Sequence, residues 1–146
     1  MQITRQADYA VRAVIYLAQS GPETPVPTAE IAEAQKIPAT FLTKIVSQLS
    51  AAGILRTTRG AHGGVSLARS ANDISLLEIV ETIDGPVLLN TCVLDPASCP
   101  ESLNCPVQQV WCQAQADLIM TLERAKLGQL VKTPFARLPL AVPVLH

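Results

Sequence analysis

Residues 28–69 hold the pattern that most restricts the fold. Thr28 is a good N-cap for a short helix over 29–35, AEIAEAQ. Shortly after it, Pro38 stands where a first-turn proline suits a second helix. That helix carries Phe41, Leu42, Ile45, Val46 and Leu49 at spacings of three and four, and stops at Gly53. Two β-prone runs follow, 54–58 and 65–69, around the turn RGAHGG. Two short helices across a tight turn match a helix-turn-helix, and a hairpin directly behind the second helix is a wing. Thr40, Thr43, Lys44, Ser47 and Gln48 lie opposite the apolar stripe, on the face that a recognition helix lays in the DNA major groove. Arg59, Gly60, His62 and Gly63 make the wing tip, where glycine allows close backbone approach and arginine suits a narrow minor groove. The plainer alternative is an ordinary hairpin whose glycines serve only the turn.

Charge distribution favours the nucleic-acid reading. The net charge is only −1, which argues against indiscriminate binding. Yet between Glu33 and Asp73 there is no acidic residue, while Lys36, Lys44, Arg56, Arg59, Arg69 and His62 all fall there. With 146 residues, 49% of them apolar, the chain suits one domain, or a small domain with an appendage, and not a disordered polymer. Aromatics are 3%, so Ala, Val, Ile and Leu must build the core. No apolar run approaches the length of a membrane span. Arg5, Asp8 and Arg12 interrupt any signal-peptide pattern. The expectation is a cytoplasmic protein without a membrane partner. It is not expected to be an enzyme: His62 is on the wing tip, His146 is the last residue, and no acid–base constellation surrounds either.

Outside the helix pair, residues 5–19 read as a helix capped by Thr4, with Ala7, Ala10, Val11, Val14, Ile15 and Ala18 on one side. Residues 75–83 read as another, ended by Asp84, Gly85 and Pro86. A long helix is expected from Pro106 to about Arg124. It carries Val107, Val110, Trp111, Ala114 and Leu118 on one side, with Cys112, Ala116, Ile119 and Met120 nearby. A helix apolar most of the way round is buried on two sides, and the second side is most simply another subunit. The last segment, 133–146, is apolar and proline-rich without a period, and reads as a tail.

All four cysteines fall within residues 92–112, as Cys92-x6-Cys99-x5-Cys105-x6-Cys112. In a reducing compartment such a cluster points to a metal or a redox switch. No tight pair of the structural-zinc kind is present, and no C-x-x-C redox motif. Wide spacing on a loop suits an iron–sulfur cluster, where each thiolate binds a different iron. A cluster-free thiol switch and a zinc or structural site are the alternatives. Cys105 lies just before the expected helix start, where the dipole favours its thiolate. Cys112 is seven residues further along that helix, roughly 10 Å away, and reads as a packing residue.

Taken together, the opening TRQADYAVRAVIYLA, the pair around IPATFLTKIVSQLSAAGIL, the wing RTTRGAHGGVSLAR, the helix SLLEIVETIDGP and the three-cysteine loop resemble the winged-helix regulators that include IscR and NsrR. The resemblance covers residues 1 to about 132. It implies a homodimer on a pseudo-palindromic double-stranded DNA operator, and a cluster held by three cysteines and a variable fourth ligand. Carried over, the three are Cys92, Cys99 and Cys105. Where IscR-like members place a histidine ligand, this chain has Gln108, and the first cysteine gap is six residues instead of five. Asp8 matches the carboxylate ligand of some NsrR-like members, and could equally be an acid favoured near a helix N-terminus. That match points to a four-iron four-sulfur cluster, with a two-iron two-sulfur cluster as the alternative.

The expected fold is mainly α with a small β-hairpin wing: a winged helix-turn-helix plus a long dimerisation helix. The expected divisions are 1–85 for DNA binding, 86–105 for the cysteine-rich loop, 106–132 for the dimerisation helix with a short helix after it, and 133–146 for the tail. The expected function is transcription regulation in response to nitric oxide, redox state or iron–sulfur status. The competing reading is a cluster-free regulator of the same fold that responds through thiols or a protein partner.

Overall fold

The computed structural model describes residues 2–21 and 23–132; the tail 133–146 lies outside them. Seven α-helices and one hairpin follow in order: α1 Arg5–Ser20, α2 Thr28–Gln35, α3 Ala39–Ala51, β1 Leu55–Thr58, β2 Gly64–Leu67, α4 Leu76–Asp84, α5 Thr91–Leu94, α6 Gln108–Arg124 and α7 Leu127–Leu130. Helix α1 packs on α2, α3 and α4 through Ala7, Ala10, Ala13, Val14 and Leu17, all buried. Its alanines let neighbouring backbones come close, which is how a chain with few aromatics closes its core. Thr4 caps α1 by accepting from the Ala7 amide, and its own amide and hydroxyl both donate to Asp84 at the end of α4.

Several boundaries differ from expectation. Helix α2 starts at Thr28 with Pro27 in the cap position and no side-chain cap. The α2–α3 turn is closed by Lys36 in the left-handed region, at φ 53°, with the Ile37 amide donating to the Ala32 carbonyl at 3.0 Å. Glycine usually takes that position, so the turn was not announced by its residue type. In α3, Leu42, Ile45, Val46 and Leu49 are buried as expected, but Phe41 is 43% exposed and meets Tyr9 edge-on at 5.9 Å. The hairpin pairs Leu55 with Leu67 and Thr58 with Gly64, and Val26 adds a single antiparallel bridge to Val65.

Helix α6 begins at Gln108, two residues later than expected, and is fastened at two points. At its end, Ser75 caps α4 and donates to Glu123 at 2.8 Å, while Leu76 and Leu127 donate to Ala125 and Ile74. Hydrogen bonds from Lys126 and then from Ser75 hold the Glu123 carboxyl below the usual carboxylate range. In its middle, Gln115 is buried. Its amide nitrogen donates to the Val87 carbonyl at 2.6 Å, and its oxygen accepts from the Leu89 amide at 2.9 Å. A glutamine between apolar helix positions carries no sequence signal for such a clamp. Gln115→Leu keeps the volume and strands two backbone groups, so it should lower unfolding stability by about 1–3 kcal/mol. Denaturant melts compared with Gln113→Leu, an exposed position on the same helix, provide the check; equal losses would remove the clamp from the fold's supports.

Candidate nucleic-acid interface and cysteine loop

Helix α3 presents Thr40, Thr43, Lys44 and Ser47 to solvent. Lys44 has no hydrogen bond or ion pair among the described residues, and the Thr43 hydroxyl donates back to the Ala39 carbonyl at 3.0 Å. Gln48 is placed differently from these four. It is half-buried and accepts from the Gln6 amide at 2.8 Å, so it ties α3 to α1. Helix α1 also braces the turn: the Arg12 guanidinium donates to the Gln35 carbonyl and lies 5.4 Å over the Tyr9 ring.

At the wing tip Arg59 and His62 are exposed. Gly60 has φ 109°, a conformation side chains rarely adopt. Gly63 donates its amide to the Gly60 carbonyl at 3.0 Å, and a Cβ there would come within 2.2 Å of the Thr58 carbonyl oxygen. Both glycines therefore have a turn-building reason to be where they are. Of the cations in the acid-free stretch, Arg69 is committed to structure, donating to Glu78 and to the Gly53 carbonyl. Lys44, Arg56 and Arg59 carry no such partner among the described residues.

The cysteine loop is more ordered than its lack of periodicity suggested. It contains α5 and two single 3-10 turns, Pro96–Ser98 and Ser102–Asn104, the first capped by Asp95, which accepts from the Ala97 amide. Cys92, Cys99 and Cys105 are half-buried thiols outside any disulfide. Cys105 lies upstream of the helix cap Val107, not at the helix start, and its carbonyl accepts from the Gln108 amide at 3.2 Å. Cys112 is exposed on α6, so it is not a packing residue within this chain.

Three partly buried thiols in one loop are a suitable donor set for iron and sulfide. Among the described residues, no three His, Cys, Asp or Glu side chains stand together as a metal-sized group. Asp8 lies in the first turn of α1, its side chain 61% exposed, 3.5 Å from Arg12. Along α6 Val110, Trp111 and Met120 are exposed, as is Val107 at its cap, while Leu118, Ile119 and Leu122 pack against Leu77, Val80 and Val87. No helix among the described residues is long and apolar enough to cross a membrane.

The comparisons agree with this architecture. The family model Rrf2, described as an iron-dependent transcriptional regulator, matches residues 3–133. Protein rrf2 of Nitratidesulfovibrio vulgaris is 31% identical over 90% of this chain and 88% of its own. NsrR of Shouchella clausii is 29% identical over 90% and 89%. Among solved structures, T. potens IscR has a TM-score of 0.72 at 26% identity, covering 90% of this chain and 87% of its own. Staphylococcus aureus CymR in its oxidized form has a TM-score of 0.72 at 26% identity, covering 92% and 98%. The fold is that of the winged-helix regulators, and the relatives are transcriptional regulators and not enzymes. This chain belongs to the Rrf2 family of transcriptional regulators.

Proposed function

We propose that two copies of this chain pair through α6, bind a pseudo-palindromic DNA duplex with α3 and the wing, and set their affinity through an iron–sulfur cluster held by Cys92, Cys99 and Cys105. The observation that carries the sensing half is the placement of three half-buried thiols in one loop, with the segment before it clamped to α6 by Gln115. When bound, the cluster supplies reactivity toward nitric oxide, oxygen or a change in iron supply. Asp8 of the partner subunit is the proposed fourth ligand. Its side chain is open to solvent, and its exposed pair with Arg12 is weak enough to give up. The four-iron form goes with that carboxylate; the two-iron form is the alternative.

A second reading has its own support. Among the described residues no three metal-binding side chains are gathered in the single chain, and CymR, of the same fold, has been solved in an oxidized form. On that reading the thiols respond without a cluster. Iron and sulfide analysis of anaerobically purified protein separates the two. Cys92→Ala, Cys99→Ala and Cys105→Ala should each give nearly colourless protein, whereas Cys112→Ala should load fully. Iron-free wild-type protein whose DNA affinity still changes on thiol oxidation would establish the second reading instead.

Asp8→Ala should keep a three-cysteine cluster but alter its visible spectrum, its rate with nitric oxide and the DNA affinity of the loaded protein. The affinity of the cluster-free protein should stay as it was. If all three loaded-state measurements match wild type, the fourth ligand lies elsewhere.

For the DNA half, Arg59→Ala should weaken specific binding by about 1–3 kcal/mol, several-fold or more, without lowering thermal stability. Lys44→Ala should reduce the slope of log affinity against log salt by about one. An unchanged affinity for Arg59→Ala at physiological salt removes the wing from the contact surface.

A further inference from the structure

We propose that the cleft at the root of the wing binds a small organic oxyanion, a carboxylate or phosphate monoester with an apolar body. The cleft has a volume of about 880 Å³ and runs between the hairpin, residues 68–72 and the end of α7. Its polar wall comes from a cross-strand pair. Arg56 and Ser66 are directly opposed in the β1–β2 register, which puts their side chains on one face of the hairpin. Both line the cleft, with Lys132 also on its wall.

Three features give this wall a ligand's chemistry. Ser66 is only 6% exposed, and its hydroxyl has no hydrogen-bond partner among the described residues. The hydroxyl is deeply set yet open to the cleft, so a hydrogen bond to water or to a ligand there can satisfy it. Arg56 and Lys132 are likewise without a hydrogen bond or ion pair among the described residues. Arg69, on the same wall, is already neutralised by Glu78. Two uncommitted cations and a sunken donor are what an oxyanion needs, and a planar guanidinium can hold a carboxylate or phosphate through two parallel bonds. Pro25, Ala71 and Val131 add apolar contact for a hydrocarbon body, beside the polar Glu23, Thr58, Ser70 and Asn72.

A duplex phosphate fits this place less well than a small molecule. Ser66 is too deeply set to meet a strand lying across the surface. Occupancy would also have a consequence for the wing. Arg56 and Thr58 belong to the strand that leads into Arg59, whereas Val131 and Lys132 follow α7. A ligand touching both would tie the wing to the chain that leaves α6. This site is independent of the cysteine loop and of what the loop holds.

The test is a titration of isotope-labelled full-length protein with benzoate and, separately, phenyl phosphate, followed by amide chemical shifts. Saturable shifts confined to residues 56–58, 66–72 and 128–132 are expected for at least one probe. Which probe binds more tightly identifies carboxylate or phosphate as the anion. Arg56→Ala and Ser66→Ala should each raise the Kd about tenfold, while Arg59→Ala leaves it unchanged. Unaltered thermal melts of the two variants would show that they remain folded. No saturable shift with either probe overturns the proposal, as do shifts centred elsewhere or equal Kd values in the variants. If neither probe binds but Arg56→Ala weakens DNA binding, the cleft belongs to the DNA contact surface and the proposal fails.

Discussion

Helix α6 has two apolar sides, and the chain covers one of them. Leu118, Ile119 and Leu122 lie on Leu77, Val80 and Val87, while Val110, on the outer side, is 62% exposed and Trp111, nearer the helix start, is 40% exposed. Val110 and Met120 turn away from the packed side, and Trp111 is uncovered where the helix runs past it; together they are an unfavourable surface for a monomer of this size. In the proposed dimer a second α6 laid against the first would remove that surface from water and place two helix-turn-helix heads about one two-fold axis. Half-site spacing on DNA then follows from how α6 is seated on α4, because α4 is part of the DNA-binding head. The contacts that seat it, Gln115 on residues 87–89 and Ser75 on Glu123, therefore set more than local stability.

The DNA-binding head combines rigidity with little charge. Helix α3 is held from behind by four buried aliphatic residues and from the side by the Gln6 to Gln48 bond, so its outer face is presented in one orientation. With net charge −1, long-range attraction to DNA is small. Affinity must come from a few well-placed cations, and Arg69 is already taken up by Glu78. Lys44 on the helix and Arg56 and Arg59 on the hairpin remain uncommitted among the described residues, and the proposed contacts use Lys44 and Arg59. A head built this way depends on geometry, which makes it sensitive to how the two heads are spaced.

The parts legible in the sequence were those where a period or a backbone requirement leaves a residue-type signature. Helices α1 and α3 show apolar residues at three and four, and the hairpin shows its turn through Gly60 and Gly63. The parts that were not legible depend on pairings distant in sequence or on residues that break a local habit. Lys36 in a left-handed turn contradicts the glycine rule, yet the bond from Ile37 to Ala32 and the brace from Arg12 to Gln35 hold it there. Gln115 meets backbone groups 26 and 28 residues away, which no window of periodicity spans. The cysteine spacing showed four thiols within residues 92–112. It could not show that Cys105 precedes a turn instead of a helix start, nor that Cys112 faces outward.

The two ends of the proposed sensor meet in the same part of the fold. Thr4 caps the helix that carries Asp8, and the same threonine is bonded to Asp84 at the end of α4. Three residues beyond Asp84, Val87 enters the core beside α6, and the Gln115 clamp holds the chain there as it leads to Cys92. The first turn of α1 and the start of the cysteine loop thus hang from one short stretch, 84–89. A loop that gained or lost its ligands would pull on that stretch from one subunit, and on Asp8 from the other. Regulatory coupling between two sites is typically about 1–3 kcal/mol. That is comparable to the pair of hydrogen bonds made by Gln115, so a rearrangement no larger than the breaking of this clamp is enough to change how the heads meet DNA.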